Sequence, residues 1–508
     1  MFNEINVSTA FVFLSVFLAL YYWYRRPKNY PPGPRGIPLL GFLPFLGNYP
    51  ERTMYKWSKK YGPVMSVRMG RQDWVILGDH ETIRQGLVNQ GNSFSGRPLI
   101  ATIDQITEGH GILLIDYGDW WKRQRRFGFS TLRGFGVGKR SMEDRITEEV
   151  AYLNNAIRLH DGKAFDIQSI LSNAVSNNIS SIVLGRRFEY DDERFKEIMA
   201  RLAMGYHTVM FNKFCSTIQH FNAICRFNDP DTSFFLQILI FLPACVHLPY
   251  FSRVNKKLME DLLREIVAEH KSSYDQNNHR DFIDAFLGEQ KAQNGTDAFT
   301  DKQLLHYVRD LFFAGSETTA TTLRWALLSL IHHPKKQEKL RKEIFKFLGK
   351  EKIPAVDNKS YMPYTCAFMQ EVYRYRTIAP LGVAHMTNED VNLNGYSIPN
   401  GTTIFVNLWA VHNNPDVWDE PNKFKPERHL DDKGNFVQSN HVIPFSVGPR
   451  HCLGEKLARM EVFIYLVSLV QKFEFLPDPD ATDLPDIENG SYGPLCAPKP
   501  FKMVARVV

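Results

Sequence analysis

A chain of 508 residues that is 44% hydrophobic and 23% charged can bury a large core, in one big domain or two smaller ones. Its formal net charge of +6 is mildly basic and falls short of a nucleic-acid binder's footprint. The six cysteines (Cys215, Cys225, Cys245, Cys366, Cys452, Cys496) form no C-x-x-C pair, which points to a reducing compartment and away from a disulfide framework. The chain carries no internal repeat and no low-complexity tract.

In chain order, residues 1–24 read as a membrane anchor. Val7 to Tyr24 carries no charge over eighteen residues, and Tyr21, Tyr22, Trp23 and Tyr24 crowd its end, where interfacial rings belong. A helix of that length spans roughly 27 Å, about an endoplasmic reticulum bilayer. A cleaved signal peptide needs a basic start and small residues at a cleavage site, and neither is present. Glu4 precedes the run, while Arg25, Arg26 and Lys28 follow it, so the N-terminus is expected in the lumen and the rest in the cytosol. The sequons at Asn178, Asn294, Asn358, Asn400 and Asn489 are then expected to be unglycosylated, and that at Asn6 abuts the membrane. Residues 25–48 form a basic, proline-rich hinge around Tyr30–Pro38, where fixed φ angles favour a stiff spacer. Residues 49–508 are the body.

Val64–Met69 and Trp74–Leu77 flank Gly70–Asp73 as a hairpin. Helical patterns follow at Asp79–Gln90, Trp120–Leu132, Met142–Leu159, Ile167–Val183, Asp192–Val209, Lys256–Tyr274 and Asp281–Ala292. Phe211–Phe251, rich in Phe, Ile and Leu, reads either as a segment dipping into a membrane surface or as a buried helix pair. A long helical pattern covers Asp301–His332, with Tyr307, Asp310, Ala314 and Thr318 on one face. Glu371 and Arg374 stand at i, i+3 and can pair within one helix. Short strands with Asn-Gly turns fill Val391–Phe405, and Phe473–Val508 reads as a second small sheet. No nucleotide or flavin fingerprint accompanies them.

One loop stands apart: Phe445-Ser446-Val447-Gly448-Pro449-Arg450-His451-Cys452-Leu453-Gly454, followed by an amphipathic helix from Glu455 to about Phe473. A thiolate is favoured at a helix start, glycines admit a large flat ligand, and Arg450 offers a cation for an acidic group on it. A lone cysteine in such a turn is more often structural. The spacing Phe-x-x-Gly-x-Arg-x-Cys-x-Gly before a helix, however, resembles the haem loop of the cytochrome P450 family. Four further matches occur in the family's order. They are Trp121–Arg125 (W-x-x-x-R), Ala314–Thr318, Glu371–Arg374 (E-x-x-R) and Pro426-Glu427-Arg428. GKRS at Gly138, DFIDAFL at Asp281 and AGSETT at Ala314 are similar to the animal microsomal group that hydroxylates drugs, steroids and fatty acids.

The resemblance implies a mainly α fold with small β-sheets, haem b lying between a long distal helix and the Cys loop. Cys452 is the implied iron ligand, its thiolate favouring O–O cleavage. Phe445 and Gly454 flank the haem on the cysteine side, and Ala314 leaves room for oxygen above it. Glu317 and Thr318 are the implied proton carriers, and Arg97, Trp121, Arg125, His385 and Arg450 the implied donors to its two propionates. Arg428 is implied to complete a structural triad with Glu371 and Arg374. The implied reaction joins R–H, O2, two electrons and two protons to give R–OH and water. Electrons come from NADPH through a separate flavoprotein reductase, with cytochrome b5 as a further partner. An acidic reductase is expected to dock on Lys122, Arg126, Arg133, Lys139, Arg140 and Lys456. Ile103, Val209, Asp310, Phe313, Ala314, Val383 and Tyr492 line the expected pocket, mostly apolar, so the substrate is expected to be lipophilic. Two rival readings are a haem-thiolate isomerase of lipid peroxides, against which Glu317–Thr318 argues, and a non-catalytic membrane haem protein. The chain departs from the family at His429, where Phe is favoured, and at Ala384, where Pro is usual; both departures read as matters of packing. Phe313 stands where relatives commonly have Gly; its ring either narrows one side of the expected pocket or packs outward against a neighbouring helix.

Overall fold

The computed structural model describes residues 13–18, 21, 25–38, 40–70, 72–98, 107–209, 256–293, 298–492 and 495–508. Ile103, most of Val7–Tyr24 and all of Phe211–Phe251 lie outside them, as does the side chain of Val209. Among the described residues no helix is long and apolar enough to cross a membrane.

The expected helices form close to their expected bounds: α2 (Asp119–Gly134), α3 (Arg140–Arg158), α4 (Gln168–Val183), α5 (Glu193–Val209), α6 (Phe282–Ala292) and α7 (Asp301–His332). Another helix covers 256–272. Their starts are chemically marked. The Asp281 carboxylate accepts from Asp284 N at 3.0 Å and the Thr300 hydroxyl from Gln303 N at 3.1 Å, each satisfying an otherwise unpaired first-turn amide. Among the described residues, three helices are not singled out by periodicity: α1 (Pro50–Tyr61), α8 (Pro334–Leu348) and a short one at Leu408–His412. The first two begin on proline, as does α9 (Pro363–Tyr375), which carries Glu371 and Arg374. Proline at the first helical position forfeits no hydrogen bond, so the signal was present in the sequence. The Cys loop leads into α10 (Glu455–Lys472), buried almost throughout its second half.

The hairpin of β1 (Val64–Met69) and β2 (Gln72–Leu77) is tighter than expected: Met69 pairs with Gln72, leaving a two-residue turn. β2 also runs parallel to β6 (Thr403–Val406), which takes β3 (His385–Met386) on its other side, giving the order β1-β2-β6-β3. β4 (Val391–Leu393) and β5 (Tyr396–Ile398) form a separate hairpin around Asn394-Gly395. The C-terminal region makes two separate ribbons where one sheet was expected, β7 (Phe473–Pro477) with β10 (Met503–Val507) and β8 (Ser491–Tyr492) with β9 (Cys496–Ala497). The body is thus mainly α with small sheets. α7 runs through its core, and Gly315 brings it against α4: a Cβ there would lie 2.4 Å from Ile179.

Candidate active site

The Cys loop is shaped by its own backbone. Ser446 and Gly448 both take positive φ, 61° and 82°. A Cβ at Gly448 would lie 1.8 Å from Leu87 O, so only glycine fits there. The fold returns the loop on itself through Cys452 N, which donates to Phe445 O at 3.0 Å. Gly454 differs: a Cβ on it would meet nothing within 4 Å. The Cys452 side chain is exposed although buried Arg450 and Leu457 flank it in sequence. Desolvation by the surrounding protein still pushes its thiol up, opposed by the Gly454 N–H and by the charges of Arg125 and Arg459. The Phe445 ring is held by the Arg459 guanidinium at 4.8 Å and the Tyr373 ring at 5.8 Å.

On α7, Ala314 is likewise exposed in mid-helix, between buried Phe312 and Ser316. The Thr318 hydroxyl, one turn on, donates to Ala314 O at 2.7 Å. Glu317 accepts from Ser172 Oγ at 3.4 Å and Thr321 Oγ1 at 3.3 Å. The rest of the face drawn from the sequence is packed. Tyr307 donates to Gln124 O at 3.0 Å and is fully buried. Asp310, expected in the pocket, instead accepts Ile112 N at 2.8 Å and Leu113 N at 3.0 Å, tying down the chain that precedes α2. Gln303 does the same for Gly111, accepting from its N at 2.8 Å and donating to its O at 3.0 Å.

That strap, Gly111 to Asp116, gathers the cations. Arg97 Nε donates to Leu113 O at 3.1 Å and Arg450 Nη2 to Ile115 O at 2.8 Å. Arg450 Nε reaches Ser95 O at 2.9 Å, and its guanidinium lies 4.0 Å over the Trp121 ring. Arg125 donates to His451 O. Trp121 Nε1–H is turned to Ile112 O at 3.1 Å and His385 Nδ1 to Phe94 O at 2.9 Å, so both groups meet backbone here and the spare donors are guanidinium N–H groups. Burial and then neighbouring Arg97 push Arg450 down to about 8; burial and then Arg125 push Arg97 down to about 10. Among the described residues Asp116 is the carboxylate set against them, and Arg450 Nη1 is buried without a partner. Crowded like charges with an orphaned donor lack an anion. The carboxylates of haem b would supply it, and the uncovered Cys452 sulfur, Gly454 and Ala314 leave surface for its ring. The residues present fit that group.

Beneath the loop, Glu371 is wholly buried. Arg374 donates to both its oxygens at 2.8 Å, and Arg428 Nε to Oε1 at 3.2 Å. Lys425 N adds a bond at 2.8 Å, and His429 Nε2 another at 2.9 Å. Because Gln370 donates to His429 Nδ1 at 2.9 Å, the imidazole proton sits on Nε2 and faces the carboxylate. The His429 departure is therefore not packing alone; it adds a fourth side chain to the expected triad. These donors outweigh desolvation and hold Glu371 down at about 2.

Val383 is half-buried and its carbonyl accepts from Arg97 at 3.4 Å. Tyr492, expected in the pocket, donates its hydroxyl to Glu51 of α1. Phe313 is half-buried and packs against the main core.

The cytochrome P450 family model matches residues 31–505. Cytochrome P450 2U1 of Bos taurus is 36% identical over 505 residues, covering 97% of this chain and 86% of its own. Cytochrome P450 2F2 of Mus musculus is 38% identical, covering 94% of each chain. Cytochrome P450 2J2 of Homo sapiens is 39% identical over 89% of this chain and 87% of its own.

Proposed function

The chain belongs to the cytochrome P450 family and is a monooxygenase, and from that premise we propose that it hydroxylates or epoxidises a lipophilic small molecule, a steroid, fatty acid or xenobiotic. The observation that carries the reading is the uncovered Cys452 sulfur beside three buried or half-buried guanidiniums, Arg97, Arg125 and Arg450, that lack an anion. When bound, haem b supplies oxygen activation at a thiolate-ligated iron.

Each side chain then has a task. Cys452 would ligate the iron, and the three arginines would hold the ring's carboxylates. Thr318, whose hydroxyl lies beside uncovered Ala314, and Glu317, held by Ser172 and Thr321, would carry protons on the oxygen side. Phe313, Ala314 and Val383 present apolar surface and exclude water from the reacting carbon. Electrons reach the site from NADPH through a flavoprotein reductase, with cytochrome b5 as a second donor. Lys122, Arg126, Arg133, Lys139, Arg140 and Lys456 are all exposed, and the Lys456 stem lies 3.6 Å from a Cβ position at Gly138, next to Lys139 and Arg140. Those neighbours support one continuous basic face for an acidic partner. Residues 7–24 tether the enzyme to the endoplasmic reticulum with its body in the cytosol.

The reduced protein with carbon monoxide is expected to show the red-shifted Soret band of thiolate ligation, and Cys452→His to abolish it. An unshifted wild-type band overturns the reading. Reconstitution with reductase separates it from its rivals. Sustained NADPH use with an oxygenated product is expected, whereas an isomerase turns over peroxides without NADPH and a carrier makes no product.

A further inference from the structure

We infer that Glu461 is a positioning residue for the oxygen-side helix, a neutral carboxylic acid that ties α10 to the turn of α7 bearing Thr318. The inference rests on the placing of Thr318 proposed above. Glu461 lies on α10, downstream of Cys452, and is 1% exposed. One oxygen accepts from Asn178 Nδ2 of α4 at 2.9 Å, and the other lies 3.3 Å from Thr319 Oγ1 of α7. Three helices therefore meet at one carboxyl group, and the α7 contact is the residue after Thr318.

The surroundings decide its charge. Among the described residues no Lys, Arg or His pairs with Glu461. Tyr465, on the same helix, shares the Asn178 amide at 2.9 Å and donates to Ala174 O at 3.3 Å. Tyr373 of α9 lies near Glu461, and Glu149 of α3 near Tyr465. The cations nearby are engaged elsewhere: Arg459 bonds Glu455 at 2.8 Å and lies 5.4 Å over the Tyr373 ring, and Arg187 pairs with Glu149 at 2.8 Å. A charge placed there would have two uncharged donors and no counter-ion, so the group keeps its proton. Burial pushes it up to about 8, in the same direction. The proton then lies between the carboxyl oxygen and Thr319 Oγ1.

What the tie does follows from the helix it grips. Thr318 donates back to Ala314 O at 2.7 Å and Thr322 back to Thr318 O at 2.9 Å. Back-bonding of this kind loosens and bends a helix. Gly315, which brings α7 close to α4, adds no side chain to stiffen it. Glu461 pins the same turn from behind, so Ala314 and Thr318 keep their orientation on the open face.

The test compares Glu461→Gln, Glu461→Ala, Thr319→Val and Thr318→Ala in the full-length holoenzyme. At pH 7 the wild-type minus Glu461→Gln infrared difference spectrum is expected to show the carbonyl band of a protonated carboxyl group; a carboxylate band overturns the inference. The C–O stretch of the reduced carbon monoxide complex reads the oxygen-side helix directly. It is expected to shift and broaden in Thr319→Val and Glu461→Ala and to stay near wild type in Glu461→Gln, whose amide can make both bonds. With reductase and an alkoxycoumarin probe, peroxide released per NADPH is expected to rise several-fold in the Ala and Val variants and to stay near wild type in Gln. A wild-type C–O stretch and peroxide ratio in Thr319→Val overturn the inference even where Glu461→Ala fails to fold. An unchanged peroxide ratio in Thr318→Ala instead sinks the proposed role of Thr318, and the infrared bands then judge Glu461 alone.

Discussion

Glu371 and Glu461 are buried alike, at 0% and 1% exposure, in helices packed against each other beneath and beside the Cys loop. Glu371 receives five hydrogen bonds, three of them from two arginines, and is held down at about 2. Glu461 receives its bonds from an amide and a hydroxyl and is pushed up to about 8. Burial is the same, so the donors decide. Charged, bidentate donors keep a carboxylate ionised inside the protein, whereas neutral donors leave burial to win. The first acid is a rigid ionic knot under the Cys loop, and the second is a soft neutral joint behind α7.

The harshest way to break the comparison is to take the counter-ion from the knot. Arg374→Ala leaves Glu371 ionised with its bidentate partner gone and strips bonds from His412 O and Lys423 O as well. Breaking a buried pair on one side costs about 3–5 kcal/mol. A lowered melting temperature and loss of haem during purification are expected, read by calorimetry and haem content. Full haem content in this variant would show that the knot does not support the Cys loop.

A gentler test uses pH. Glu371 sits below its ordinary 4.5, at about 2, so its stabilisation is complete above the ordinary range and lost as pH falls from 4.5 towards 2. Glu461 sits above its ordinary 4.5, at about 8; its contribution is complete below 4.5 and lost as pH rises to about 8. Urea midpoints from pH 3 to 9 are expected to fall on both sides. Glu461→Gln should flatten the alkaline limb by one proton, about tenfold in the folding constant per pH unit, and leave the acid limb unchanged. A variant that alters both limbs equally would show that the two acids are not independent.

The two networks were also unequally legible in the sequence. Glu371–Arg374 could be drawn from helical spacing alone, and Arg428 came with the family resemblance. His429 was visible as a departure, but an imidazole in place of a ring gives no hint of its partner until Gln370 is seen to fix its tautomer. The Glu461 joint had no local signature: its partners lie 283 and 142 residues away, with nothing at helical or strand spacing to link them. Asp310 shows the opposite failure. Helical geometry put it on the open face, but the strap returning from 198 residues earlier covers that position. The parallel pairing of β2 with β6 was unreadable for the same reason, since non-local pairing leaves no periodic trace.

His429→Phe restores the family's usual residue and sharpens the account of the knot. It removes one of five bonds to Glu371 and leaves Gln370 without its imidazole acceptor, while both arginines stay. The expected loss is about 1–2 kcal/mol, with haem retained. The acid limb should still begin near 4.5 but complete at slightly higher pH, because one donor to the carboxylate is gone. An unchanged acid limb would place His429 outside the network.

The smallest effect is expected at Asn178, and its size carries the argument. Asn178→Leu is nearly isosteric, so it opens little cavity and removes chiefly the amide that donates to Glu461 and Tyr465. Tyr465 keeps its own bond to Ala174 O. If Glu461 is neutral, the loss is that of an ordinary buried hydrogen bond, about 1 kcal/mol, whereas an ionised Glu461 would lose a charge-assisted bond worth about 1.5–3 kcal/mol. The pH response separates the cases further. Without the amide the proton is held more tightly, so the alkaline limb should complete at higher pH than in the wild type. A loss at the larger value, with the limb unmoved, would mean that Glu461 is already a carboxylate and that the contrast with Glu371 is one of degree.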